Sequence, residues 1–154
     1  MEIKLDNIIE LLEMDNPDWA IYFDKQTYDF VTFSQEIAGD AEVGEPYDHL
    51  PEWQQDERKA ADMVMGDESD RFIRLSKEEH VDEYRMIEDF SYSIKNESKR
   101  ATLLKAIRGR GAFRRFREHV ESAGLLDEWY DFREEGYKQA AREWCEQNDI
   151  AYED

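Results

Sequence analysis

The stretch Trp19-Ala20-Ile21-Tyr22-Phe23-Asp24-Lys25-Gln26-Thr27-Tyr28-Asp29-Phe30-Val31-Thr32-Phe33 decides the fold class. Trp19, Ile21 and Phe23 alternate with Ala20 and Tyr22, a period of two. Asp24-Lys25-Gln26-Thr27 supplies turn chemistry, and Tyr28, Phe30 and Thr32 then alternate with Asp29, Val31 and Phe33. This pattern predicts a β-hairpin with a loop of about four residues. Apolar side chains fall on both faces of the two strands, so helices are expected to cover at least part of the second face.

The flanking sequence changes period. Over residues 3–14, Leu5, Ile8, Ile9 and Leu12 fall at helical spacing, and Asn16-Pro17 stops the helix. Residues 35–48 are polar, hold Gly39, Gly44 and Pro46, and read as a loop with at most a short helical turn. Pro51 suits a helix start, Trp53, Ala60, Ala61 and Val64 give one face, and Gly66 ends it. Arg71-Phe72-Ile73-Arg74-Leu75 reads as a third strand. Ser76 with Glu79 forms a capping box for a helix whose buried face is Val81, Tyr84, Ile87, Phe90 and Ile94. Helices over 97–108 (Leu103, Leu104, Ile107) and 111–123 (Phe113, Phe116, Val120) close at Gly109 and Gly124. The last helix, about 126–147, carries Leu126, Trp129, Tyr130, Phe132, Tyr137, Ala140, Ala141 and Trp144. A small three-stranded antiparallel sheet in the N-terminal half and a mostly helical C-terminal half define an α+β class in a single domain over 1–154.

Length and composition bound the function. The 154 residues suffice for a core, and 40% apolar with 13% aromatic content excludes a disordered chain. One cysteine, no apolar run of roughly 20 residues and no basic-then-apolar start point to the cytoplasm and to no membrane segment. The net charge of −19 admits plain solubility, high-salt adaptation or a surface for basic partners. It is unevenly distributed. Residues 1–94 hold 26 acids against 8 bases, 95–117 hold 1 acid against 9 bases, and 118–154 hold 12 against 3. A uniform high-salt coat would not leave this basic island. Its acidic flanks also argue against long duplex DNA as a partner.

Catalytic templates fail. The histidines, His49, His80 and His119, form no His-Glu-x-x-His motif, and none has Glu three residues before it. Asp67-Glu68-Ser69-Asp70 lacks calcium-loop spacing, and Gly109-Arg110-Gly111 follows a helix without the third glycine of a dinucleotide fingerprint. Glu78, Glu79, Asp82 and Glu83 share helical spacing, which reads as a solvated face before it reads as a metal site. Cys145 reads as a structural thiol. No catalytic residue, metal or cofactor is expected.

The island Ile107-Arg108-Gly109-Arg110-Gly111-Ala112-Phe113-Arg114-Arg115-Phe116-Arg117 reads helix, glycine turn, helix. In one reading it is internal electrostatic glue: Arg114 reaches Glu118 and Arg117 reaches Glu121, both at i,i+4, and the rest meet neighbouring acidic faces. In the other, Arg108, Arg110, Arg114, Arg115 and Arg117 bind an anion, because no acid precedes Glu118 where a helix start favours acids. The ligand would be a nucleotide, a nucleic-acid backbone or an acidic segment. Phe113 and Phe116, at i,i+3, read as buried rather than as base-stacking residues. Trp129, Tyr130 and Trp144 form a partner or homodimer surface if the last helix leaves them exposed.

Gly-Arg-Gly-Ala-Phe-Arg-Arg-Phe-Arg from Gly109, Glu-Trp-Tyr-Asp-Phe-Arg at 128–133 and Ala-Ala-Arg-Glu-Trp-Cys-Glu-Gln-Asn at 140–148 resemble an uncharacterised bacterial protein family of the UPF class, small and acidic. The hairpin and the Met86-Ile87-Glu88-Asp89-Phe90 helix are similar too, so the likeness covers nearly the whole chain. Arg110 stands where the family has Lys, and Gln26 where it often has Gly. The resemblance implies a bacterial source and a compact domain, and it transfers no activity and no site residue. The expectation is therefore a small cytoplasmic non-enzymatic interaction protein, with an anion or nucleic-acid binding module over 95–117 as the alternative. A protein partner or a small anion fits either.

Overall fold

A computed structural model describes all 154 residues. The elements in order are β1 (Ile3–Lys4), α1 (Leu5–Met14), β2 (Trp19–Asp24), β3 (Asp29–Ser34), α2 (Gln35–Val43), α3 (Glu52–Met65), β4 (Phe72–Leu75), α4 (Lys77–His80), α5 (Glu83–Ser93), α6 (Glu97–Ala106), α7 (Ala112–Ser122), α8 (Leu126–Gln147) and β5 (Tyr152–Glu153). The class is α+β, as the hairpin and the helical periods predict. The chain forms two compact units, Met1–His80 with Ala141–Asp154, and Val81–Ala140. No helix is long and apolar enough to cross a membrane.

In the first unit the sheet order is β3-β2-β4, antiparallel throughout. The pairing of Ala20 with Phe33 and of Tyr22 with Val31 and Arg74 sends one set of side chains to one face. There Ala20 and Phe33 pack with Ile37 and Ala38 of α2 and with Ala61 and Val64 of α3, so helices do cover that face. On the other face the Trp144 ring lies 5.8 Å from Phe23 and 6.0 Å from Phe30. Its indole N–H donates to the Arg74 carbonyl at 3.0 Å.

The hairpin loop is organised by Asp24. Its carboxylate accepts from the Gln26 N–H at 2.9 Å and takes both arms of the Arg71 guanidinium at 2.8 Å. Asp24 is buried, and the Arg71 fork holds its carboxyl at about 2, below the ordinary 3.8. Tyr28 closes the loop at φ 59°, a left-handed position held by its edge contact with Phe23 and by its hydroxyl, which accepts from the Ala151 N–H.

Three expectations are corrected. Residues 35–43 form α2 rather than a loop. Ser34 Oγ accepts from the Ile37 N–H at 3.2 Å, Ile37 and Ala38 are buried, and Gly44 at φ 73° ends the helix. Cap and burial outweigh the roughly 1 kcal/mol cost of Gly39 inside it. Second, Trp53 is 65% exposed. It lies in the first turn of α3, while the buried face comes later, at Arg58, Ala61 and Val64. Third, one helix after Ser76 becomes two. Asp15, not a capping box, accepts the Lys77 N–H at 3.0 Å, and Asp82 in an extended conformation caps α5 by accepting from Arg85 N–H at 2.9 Å. Glu78 and Glu79 therefore sit on α4, and Asp82 and Glu83 at the start of α5, so the four carboxylates share no helix. The two-residue parallel pair β1–β5, Ile3 opposite Tyr152, is too short to leave a period in the sequence.

In the second unit Ile87, Phe90, Leu103, Ile107, Phe116 and Val120 form the core. Phe90 lies 5.3 Å from Trp129, 5.4 Å from Phe132 and 6.0 Å from Phe116, all near edge-on, the arrangement that ring quadrupoles favour. The buried Tyr137 hydroxyl donates to Glu83 at 2.6 Å and accepts from Arg133 at 3.1 Å.

Candidate functional site

The α6–α7 turn is where the basic island folds back on itself. An α-helix leaves its last carbonyls without partners, and at the end of α6 side chains supply donors. Arg115, one turn into α7, donates through Nε to the Ala106 carbonyl at 2.8 Å, through one terminal nitrogen to Arg108 at 2.6 Å and through the other to Arg110. The Tyr84 hydroxyl donates to the Ile107 carbonyl at 3.0 Å. Carbonyls 106, 107, 108 and 110 are thus all satisfied.

The glycines make this possible. Gly109 and Gly111 adopt φ 74° and 75°, the left-handed region that L side chains rarely enter. Gly111 has a second constraint: a Cβ there would stand 2.9 Å from the Arg115 terminal nitrogen, which is fixed by its own hydrogen bonds. A Cβ at Gly109 would meet nothing within 4 Å.

Neither sequence reading of the island describes all nine bases. Three serve helix ends. Besides Arg115 at the end of α6, Arg100 donates to the Ile94 carbonyl at 2.9 Å beyond α5, and Lys99 to Ala123 at 3.0 Å beyond α7. These contacts place positive charge where a helix macrodipole is negative. Arg108, Arg110, Arg114 and Arg117 are exposed, and no carboxylate holds them. The expected i,i+4 pairs to Glu118 and Glu121 do not form. The first turn of α7 carries no acid and its Gly111 cap has no side chain to offer. Of the five arginines proposed for an anion, four are exposed and Arg115 holds the turn from which they project.

Phe113 is a correction. It is 52% exposed, because the buried stripe of α7 is Ala112, Phe116 and Val120, not Phe113 and Phe116. The i,i+4,i+8 spacing of those three was the signal available in the sequence. Phe113 meets Tyr84, itself 41% exposed, ring to ring at 6.4 Å and 75°. Sequence reasoning assigned both to the core and so missed an exposed aromatic pair beside four arginines.

The aromatic surface expected on α8 is dispersed. Trp144 is 1% exposed and belongs to the core of the first unit; Trp129 is half-buried against Phe90 and Phe116; Tyr130 is exposed. Cys145 is fully buried, and burial pushes its thiol up to about 11, so it stays protonated and serves packing.

Fold and turn together define a small acidic α+β protein with an ordered basic turn in its helical unit. The chain belongs to the Uncharacterised protein family (UPF0158), whose model matches residues 50–153. The hairpin over 19–33 precedes the matched residues. The chain is also similar to "UPF0158 protein PA5073" of Pseudomonas aeruginosa, 27% identical over 90 residues, which is 58% of this chain and 59% of that protein's length. No solved structure matches the chain.

Proposed function

We propose that this is a cytoplasmic, non-enzymatic interaction protein that engages an anionic partner through the α6–α7 turn. The observation that carries the reading is the exposure of Arg108, Arg110, Arg114 and Arg117 without a carboxylate on any of them, in a chain rich in acids. Arg108 and Arg110 in the turn and Arg114 and Arg117 on the first turns of α7 put four like charges within ten residues, and an anion relieves their repulsion. Because Arg115 and the two glycines order the backbone beforehand, little further entropy is lost on binding.

The test uses the global charge as its control. A protein of net charge −19 should pass through an immobilised polyanion such as heparin. Retention at low salt, with loss of retention when Arg108, Arg110, Arg114 and Arg117 are all replaced by Ser, is the expected result. Wild-type protein in the flow-through at low salt would sink the reading.

A further inference from the structure

Resting on that reading, we infer that the anion is single-stranded nucleic acid, with bases stacking on the Tyr84–Phe113 pair and phosphates met by the flanking arginines. A phosphate or carboxylate alone has no use for an exposed ring, whereas every nucleobase has a π-face to place on one. The two aromatics lie on the basic surface itself. Arg117 follows Phe113 by four residues and shares its side of α7, Arg114 is the next residue along the helix and exposed, and Arg110 stands in the turn that leads into it. Tyr84 is tied to this surface by its hydroxyl, which donates to Ile107, next to Arg108.

The extent of the surface selects the form of the ligand. The helical part of the island, the six residues from Ala112 to Arg117, rises only about 8 Å along α7. Beyond them Glu118 and Glu121 continue the exposed side of α7 with the opposite sign. A duplex or an anionic membrane is a broad, stiff or flat array of negative charge and would bring those acids against it. A flexible strand can bend to follow a short basic path. Paired bases in a duplex also keep their faces stacked on each other and offer none to Phe113.

Fluorescence anisotropy with labelled twelve-residue oligouridylate and oligothymidylate tests the inference. A duplex of equal length, polyphosphate, polyglutamate and vesicles containing anionic lipid serve as competitors. The expected result is that both single strands bind, the duplex competes poorly, and Phe113→Ala weakens binding about tenfold while Phe113→Trp restores it. The Phe113→Ala change leaves polyphosphate competition unaltered, and Arg114→Ala lowers the steepness of log affinity against log salt by about 0.7. Arginine-dependent binding of polyphosphate with no Phe113 effect on the oligonucleotides overturns the inference and leaves the anion reading standing. Phe113-dependent binding of polyglutamate or vesicles in preference to the strands overturns it in favour of that partner. No binding by any probe overturns both.

Discussion

Gly109 and Gly111 look alike in sequence and have different obligations in the structure. Both need a positive φ, which costs an L residue roughly 1–2 kcal/mol. Gly111 must in addition leave room for Arg115. Gly109→Ala should therefore cost about 1 kcal/mol and Gly111→Ala measurably more. The excess should disappear when Arg115 is already replaced by Ala, a coupling that urea denaturation in a double-mutant cycle reads. Additive effects would mean that Arg115 does not hold the turn. The sequence shows arginines crowded into a few residues and gives few means of sorting them. Only the register of Ala112, Phe116 and Val120 distinguishes Arg115, which lies beside the buried stripe, from Arg114 and Arg117, which face outward. That register depends on which of two overlapping stripes meets the neighbouring helices, a tertiary fact.

Among elements, the hairpin was fully legible because alternation over two strands has no helical counterpart. The helix over 35–43 was not, since Gly39 and a polar composition concealed a short element whose order comes from the Ser34 cap and two buried residues. The break between α4 and α5 was hidden by Ser76 and Glu79, whose spacing imitates a capping box, while Asp15, far away in sequence, accepts the Lys77 N–H and Asp82 begins α5 with a cap of its own. The hairpin also carries a pH signature. Asp24 has an ordinary carboxyl value of 3.8 and is held at about 2 in the fold. A depressed value means that the Asp24–Arg71 pair contributes its full stability above about pH 4 and loses it as pH falls through about 2. At neutral pH, Asp24→Asn should be less stable by about 2–3 kcal/mol, the cost of orphaning half of a buried charged pair. The gap between wild type and variant should close between pH 4 and 2. A gap that is constant across that range would show that packing, not the ion pair, sets the cost.

Over the whole molecule, the sum of −19 conceals two kinds of positive charge. Lys99, Arg100 and Arg115 are consumed by the ends of three helices. Arg108, Arg110, Arg114 and Arg117 face solvent. The charge split along the chain was readable from composition alone. This division within the island was not, because it depends on where each helix ends in space. It is also the central claim, and arginine side-chain NMR tests it most directly. In the free protein the Arg115 Nε–H should exchange slowly with water, and those of Arg108, Arg110, Arg114 and Arg117 fast. On addition of polyphosphate the latter four should shift and Arg115 should stay in place. An Arg115 Nε–H that exchanges as fast as its neighbours, or shifts that fall outside the α6–α7 turn, would contradict the account.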